Sequence, residues 1–366
     1  MSVGLQGLLT IVAIVAVSPF VARLFGGRLP TVALLMLGGI AVGPSGLALV
    51  QQDPAIDLFA KIGLGLIFAL IGLNIDQKTL SGTPGRLGAL GWFATLIVGV
   101  LLVSVLPLGD GLRPVALVVA LSSTALSTLL VILRESGEWD SPLGRLLLSA
   151  GTWGQLGPVL AVALLLGSTN PITTVLSVAL VVVAWLLALV PARMGQSSCW
   201  YWFESVAGSA SATPMQLLYL LVVGLIALSE ALGVAILMGT LLAGLVMRRF
   251  IAEPDISPAI KQLEASAYGL FVPLFFVVAG ARLDLASVAA HPWGPVICLA
   301  GILLIRGLPQ WLLYRQALPD LVERLRFSLL VSQSLNLPIV VAYLEVEAGS
   351  LLSVLLLPAL AMAVKR

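Results

Sequence analysis

Apolar runs of roughly 17–25 residues recur from one end of this chain to the other, separated by short charged or Pro/Gly-rich breaks. Each run is long enough to cross a bilayer as a helix, and a helix satisfies its own backbone polar groups where no water can do so. A water-soluble fold is excluded by the amount of apolar surface, since 60% of the 366 residues are hydrophobic, 10% are charged and the mean hydropathy is +1.11. The residue-by-residue alternation of a β-barrel is missing. The fold class expected is therefore an all-α membrane protein. The first run lacks a basic leader and a small-residue cleavage site, so it reads as a retained span.

Thirteen spans are predicted, at 4–25, 30–50, 57–75, 87–106, 114–133, 143–166, 172–190, 216–229, 232–246, 263–280, 295–313, 327–344 and 351–364. With the N-terminus outside, the inner loops carry Arg23, Arg28, Lys78, Arg86, Arg134, Arg145, Arg193, Arg248, Arg249, Lys261, Arg315, Arg324, Arg326, Lys365 and Arg366. Only Lys61, Arg113 and Arg282 fall outside, and Arg306 lies within a span. This bias predicts a cytoplasmic C-terminus and an inner (plasma) membrane location.

The two halves of the chain echo each other. The third span ends Phe68-Ala-Leu-Ile-Gly72-Leu-Asn-Ile-Asp76 and the tenth ends Phe276-Val-Val-Ala-Gly280-Ala-Arg-Leu-Asp284. In the same way Leu-Ser122-Ser-Thr124 of the fifth span answers Val-Ser332-Gln-Ser334-Leu-Asn336-Leu-Pro338 of the twelfth. Partners seven spans apart face opposite ways across the membrane, which predicts two inverted six-helix repeats. Residues 1–190 hold the first repeat and a linker helix, 191–214 an interfacial segment and tether, and 215–366 the second repeat. The aromatic run Cys199-Trp-Tyr-Trp-Phe203 suits an anchor at headgroup level.

Small polar segments at membrane depth have two readings. They can be close-packing positions, as in any helical bundle, or interrupted helices that line a wet cavity. Interruptions at corresponding positions of two repeats point to the second reading and to a secondary transporter. Leu121-Ser-Ser-Thr-Ala-Leu-Ser-Thr128 and Gly151-Thr-Trp-Gly-Gln-Leu-Gly-Pro158 are the leading segments of this kind. Neither a phosphate-binding glycine loop, a zinc-ligand spacing nor a nucleophile elbow is present, the one histidine is His291 in an outer loop, and Cys199 and Cys298 have no metal-like spacing. An enzyme, a metal site and a cofactor are not expected, and nothing suggests nucleic-acid binding.

The motifs in order resemble those of the cation:proton antiporter superfamily, in particular the membrane half of glutathione-gated potassium efflux proteins and related sodium/proton antiporters. The resemblance is carried by Arg28-Leu-Pro with Gly38-Gly-Ile-Ala-Val-Gly-Pro-Ser-Gly46, by Ile71-Gly-Leu-Asn-Ile-Asp76, Ala120-Leu-Ser-Ser-Thr124 and Ser141-Pro-Leu-Gly-Arg145, and by Leu241-Leu-Ala-Gly-Leu245 and Pro273-Leu-Phe-Phe276. It covers nearly the whole chain. It implies a homodimer in the lipid bilayer, a fold in which the fifth and twelfth spans are broken and cross, and exchange of a monovalent cation, Na⁺ or K⁺, for a proton. Nothing in the 366 residues resembles the nucleotide-binding regulatory domain that efflux members append.

The resemblance also exposes a departure. Counted ungapped from Gly144-Arg145, the place of the family's ion-binding aspartate in the sixth span is held by Gln155, a shift of one residue gives Leu156, and 146–166 contains no acid. An amide offers an oxygen to a cation and cannot titrate. The eleventh span nevertheless keeps Arg306, at the place where the resemblance implies a basic partner for that aspartate. The candidate site is then Ser122, Ser123 and Thr124 as oxygen donors, Gln155 as the central polar group, Arg306 as a fixed charge, and Ser332, Gln333, Ser334 and Asn336 at the second break. The candidates to compensate Arg306 are helix-end carbonyls, the Gln155 side chain or an anion. Three functions stay open: cation:proton antiport, a non-transporting sensor or partner of the same fold, and a carrier of an anionic or neutral solute.

Overall fold

The computed structural model describes residues 3–24, 31–51, 53–74, 82–105, 117–119, 121–139, 141–165, 213–231, 236–250, 258–283 and 293–334, with four isolated positions besides. The regular structure among these residues is helical throughout. We label α1 (Val3–Leu24), α2 (Thr31–Val42), α3 (Pro54–Asn74), α4 (Gly82–Val105), α5 (Leu126–Glu135), α6 (Pro142–Leu165), α7 (Thr213–Ala231) and α8 (Ile236–Phe250). The rest are α9 (Pro258–Ser266), α10 (Val272–Ala281), α11 (Gly294–Ile302), α12 (Leu308–Leu313) and α13 (Leu321–Val331). Five described stretches are long and apolar enough to cross a membrane: Gly4–Leu24, Pro54–Leu73, Gly82–Val105, Ala259–Ala281 and Val296–Leu313. The seventh and thirteenth predicted spans and the 191–214 tether lie almost entirely outside the described residues.

Helix ends follow local chemistry. Asp53 accepts from the Ala55 N–H at 2.8 Å, and Pro54, which has no N–H to lose, opens α3. Asp320 caps α13 through the Glu323 N–H at 3.0 Å, so this helix starts before the predicted twelfth span and brings Arg324 and Arg326 into it. Between α5 and α6 the chain turns at Gly137, whose φ of 67° suits glycine, and the Glu138 N–H reaches back to the Leu133 carbonyl. Ser141 then caps α6 through the Gly144 N–H at 2.8 Å. Arg326 of α13 bonds both carboxylate oxygens of Glu138 at 3.0 and 3.1 Å, fastening this hairpin to α13.

Two spans contain a widened turn that the apolar pattern does not show. Residues Ala267–Phe271 between α9 and α10, and Leu303–Gly307 between α11 and α12, form π-helical turns. The N–H of Val272 reaches Ala267, and that of Leu308 reaches Leu303, five residues back in each case. Each turn is followed at the same offset by a proline, Pro273 or Pro309. A proline cannot donate to the carbonyl four residues earlier and collides with it, and a widened turn relieves both problems without ending the helix.

The chain divides into two compact units. One comprises Met1–Gln51, Lys78–Leu166 and Val277–Arg366, the other Gln52–Gln77 and Gly167–Phe276. Within the second unit, α3 and α8 meet backbone to backbone: a Cβ on Gly72 would strike the Leu241 carbonyl, and one on Gly244 would strike that of Ala69. Within the first unit, α2 and the end of α10 do the same, with Gly39 against the Val277 carbonyl and Gly280 against that of Met36. Reciprocal glycines let the helix axes approach closely, which is how helices pack where apolar lipid gives no hydrophobic drive. Lys61 pairs with Glu230 at 2.7 Å on the surface of the second unit.

Candidate functional site: the crossover around Thr124

In the first unit the helix that includes Leu117–Val119 and Leu121 gives way to non-helical backbone from Ser122 to Ala125 before α5 begins. The twelfth span behaves alike, α13 stopping at Val331 and the backbone unwinding at Ser332, Gln333 and Ser334. These two interruptions meet. The Ala125 N–H donates to the Gln333 carbonyl at 2.7 Å, the Thr124 hydroxyl donates to the Val331 carbonyl at 2.7 Å, and the hydroxyls of Ser123 and Ser334 share a hydrogen bond of 2.8 Å. Backbone groups that each helix leaves open are thus satisfied by the other, which is the condition for irregular backbone at membrane depth. The third strut is α6, whose Gly154 carbonyl accepts the Thr124 N–H at 2.8 Å.

Arg306 enters this crossover from the π-turn. It is fully buried, and its guanidinium donates to the Thr124 hydroxyl at 2.9 and 3.2 Å, to the Ala150 carbonyl at 3.1 Å and to the Thr95 hydroxyl at 3.4 Å. Placing an arginine at the centre of a bilayer costs about 2.5–3.5 kcal/mol on insertion scales. Hydrogen bonds to a charged group contribute about 1.5–3 kcal/mol each, so these partners offset the cost without a carboxylate. All the hydrogen-bond partners of Arg306 among the described residues are neutral. Thr124 is the pivot, because its one hydroxyl donates to α13 and accepts from Arg306.

Room for the guanidinium comes from Gly154. A Cβ there would overlap both Arg306 Nη2 and Thr124 Oγ1. Gly307, beside Arg306, faces Ser328 of α13 and Ser332 just past its end, and the Ser328 hydroxyl donates to the Gly307 carbonyl at 2.8 Å. Ser332 and Ser122 turn their hydroxyls back onto their own helices, to Ser328 and Val119. Both remain fully buried.

The structure therefore brings Ser123, Thr124, Arg306, Gln333 and Ser334 together, with Ser122 and Ser332 flanking them. Gln155 is next to Gly154 on α6 and half-buried, and its side chain makes no hydrogen bond to the described residues. Of the partners expected for Arg306, a carbonyl is present, but it belongs to Ala150 inside α6, and two threonine hydroxyls replace the Gln155 side chain. The Gln333 amide is buried with neither Oε1 nor Nε2 hydrogen-bonded. Asn336 lies outside the described residues, as do Asp76 and Asp284. Thr95 is the residue that sequence reasoning misses. Its signal is a lone threonine in step with Gly88 and Gly91 along an apolar span, and its hydroxyl also donates to the Gly91 carbonyl at 2.8 Å.

Comparison with known proteins decides the family. The sodium/hydrogen exchanger transmembrane family matches residues 9–364. The chain belongs to this family, within the cation:proton antiporter superfamily. The family model describes a transmembrane domain, in keeping with the apolar helices of this chain. It is 30% identical over 351 residues to the glutathione-regulated potassium-efflux system protein KefC of Klebsiella pneumoniae, covering 92% of this chain and 54% of that protein. The chain thus spans about half the length of that curated relative. Among solved structures it is similar to the sodium proton antiporter MjNhaP1 of Methanocaldococcus jannaschii, with a TM-score of 0.60, 21% identity and 97% of each chain covered. That likeness shows an antiporter-like helical fold.

Proposed function

We propose that this chain is a secondary transporter for a monovalent cation, Na⁺ or K⁺, with the crossover around Thr124 as its solute site. Its coupling to protons is weak, because Gln155 stands where the family resemblance calls for a titrating carboxylate. The observation that carries this reading is the meeting of two unwound segments, 122–125 and 332–334, beside a buried cation. Such a junction joins helices that are separate in the sequence, so a small rotation of either changes which oxygens face a solute. Ser123, Thr124 and Ser334 supply those oxygens, and the unpartnered Gln333 amide is a further ligand.

The proposed architecture is two inverted six-helix repeats among thirteen spans, assembled as a homodimer. The glycine contacts support the repeat: the third span packs on the ninth through Gly72 and Gly244, and the tenth on the second through Gly280 and Gly39. The same relation appears twice when each span is exchanged for its partner seven places along. The N-terminus is outside and the C-terminus cytoplasmic, from the bias of Lys and Arg.

A second reading is favoured by one observation. Among the described residues Arg306 has neutral partners only, so the crossover carries a positive charge that would attract an anionic solute, or leave a neutral one unhindered, and would repel a bare cation. Flux into liposomes holding the purified protein, run with Na⁺, K⁺ and small anions across an imposed pH gradient, separates the readings. Cation flux supports the first, anion flux inhibited by Arg306→Gln supports the second, and no flux of any kind makes the protein a sensor or assembly partner.

A further inference from the structure

The polar chain at Arg306 does not stop at the crossover. Arg306, Gln310 and Tyr314 follow one another at four-residue spacing, across the π-turn and α12, and all three side chains are fully buried. At about 1.5 Å per residue this ladder is about 12 Å long. It faces α4 rung by rung: Arg306 donates to Thr95, and one turn away Gln310 lies against Gly91, where an added Cβ would stand 2.6 Å from both amide atoms. The Tyr314 N–H bonds the Gln310 carbonyl at 3.1 Å, and its ring packs on Phe327 with centroids 4.1 Å apart.

Below Arg306 the polar atoms lack partners. Gln310 Oε1, Gln310 Nε2 and the Tyr314 hydroxyl are buried and make no hydrogen bond to protein. Tyr314 caps the end of α12 and lies within electrostatic reach of Arg306. Leaving three such atoms unpaired is unfavourable, and an apolar side chain would fill these positions without that cost. Buried polar groups in this situation are satisfied by internal water, at about three hydrogen bonds per molecule.

We propose that Gln310 and Tyr314 hold internal water that links the α12 end of the helix to Arg306, making a hydrated track behind the crossover. Gln310 is the holding residue, since its amide both donates and accepts. The track's role as a route to the crossover rests on the transport reading above, but its existence does not.

X-ray radiolytic hydroxyl footprinting tests it directly, because radicals form from water at the site and oxidise the side chains beside it. After correction for intrinsic reactivity, Tyr314 is expected to be modified several-fold faster than Phe276, an equally buried ring in apolar surroundings. In Gln310→Leu the Tyr314 modification should fall to the Phe276 level, and thermal stability should drop. A dry ladder gives the opposite sign, since removing an unpartnered amide from an apolar site stabilises. Tyr314 as protected as Phe276 in the wild type overturns the proposal, whether or not the variant folds. So does Tyr314 modification that Gln310→Leu leaves unchanged. Since neither readout involves flux, a protein that transports nothing can still pass.

Discussion

Gly154 lies so close to Arg306 that a single methyl group on its α-carbon would overlap the guanidinium and the Thr124 hydroxyl at once. The glycine in the sixth span is therefore part of the arginine's binding site, on the helix whose Ala150 carbonyl also accepts from it.

Gly154→Ala should displace the Arg306 head and loosen Thr124 from α13. Overpacking of this kind costs about 1–3 kcal/mol, well beyond the small gain in helix propensity. A lowered unfolding temperature in detergent is the expected outcome, and unchanged stability would show that the crossover has slack.

Arg306→Ala should destabilise more than Arg306→Lys. Alanine removes the packing and every hydrogen bond, leaving Thr95 and the Ala150 carbonyl without this partner, whereas lysine keeps a donor within reach of some of them. Thermal unfolding of the two variants in the same detergent checks the order. Equal stability of both with the wild type would place the guanidinium outside the core.

The reciprocal glycines make a sharper contrast. Gly280→Ala pushes a methyl into the Met36 carbonyl and should separate α10 from α2, with a clear loss of stability. Gly224→Ala, on α7 with nothing within 4 Å, should be neutral or stabilising by up to about 1 kcal/mol.

Much of this architecture is legible in the sequence, and the failures have causes. The breaks at Ser122–Ser123 and Ser332–Ser334 announce themselves because hydroxyl-bearing residues interrupt apolar runs. Their mutual hydrogen bonds could be expected only in kind, since pairing across some two hundred residues leaves no local trace. The π-turn that carries Arg306 has a signal in Pro309, as the other has in Pro273, yet Pro19 and Pro158 sit inside α1 and α6 with no π-helical turn beside them. Proline marks where a helix needs help and not which help it receives. Gln155 drew attention because of a resemblance, while the structure gives the contact with Arg306 to its neighbours Gly154 and Ala150. A glycine and a backbone carbonyl carry no side-chain chemistry to notice, so a reading by residue type passes over them.

The orientation has its own test. In a background with Cys199 and Cys298 replaced by serine, a cysteine introduced at Ser350 should react with an impermeant thiol reagent added outside intact cells, and one at Arg366 should not. The reverse pattern would require an even span count or an inverted protein.

We propose the crossover as a monovalent-cation site whose proton coupling is limited by the missing acid in the sixth span. Exchange of Na⁺ or K⁺ against a pH gradient, measured side by side for wild type and Gln155→Asp in liposomes, addresses it most directly. At position 155 the new carboxylate would be half-buried at membrane depth, one residue from the Gly154 that lines the Arg306 guanidinium, where it can exchange a proton for a cation. Weak proton-coupled exchange by the wild type, a marked increase in Gln155→Asp, and loss of both when Thr124→Val is added are the expected results. Strong proton-coupled exchange by the unmodified protein that Gln155→Ala leaves intact would contradict it.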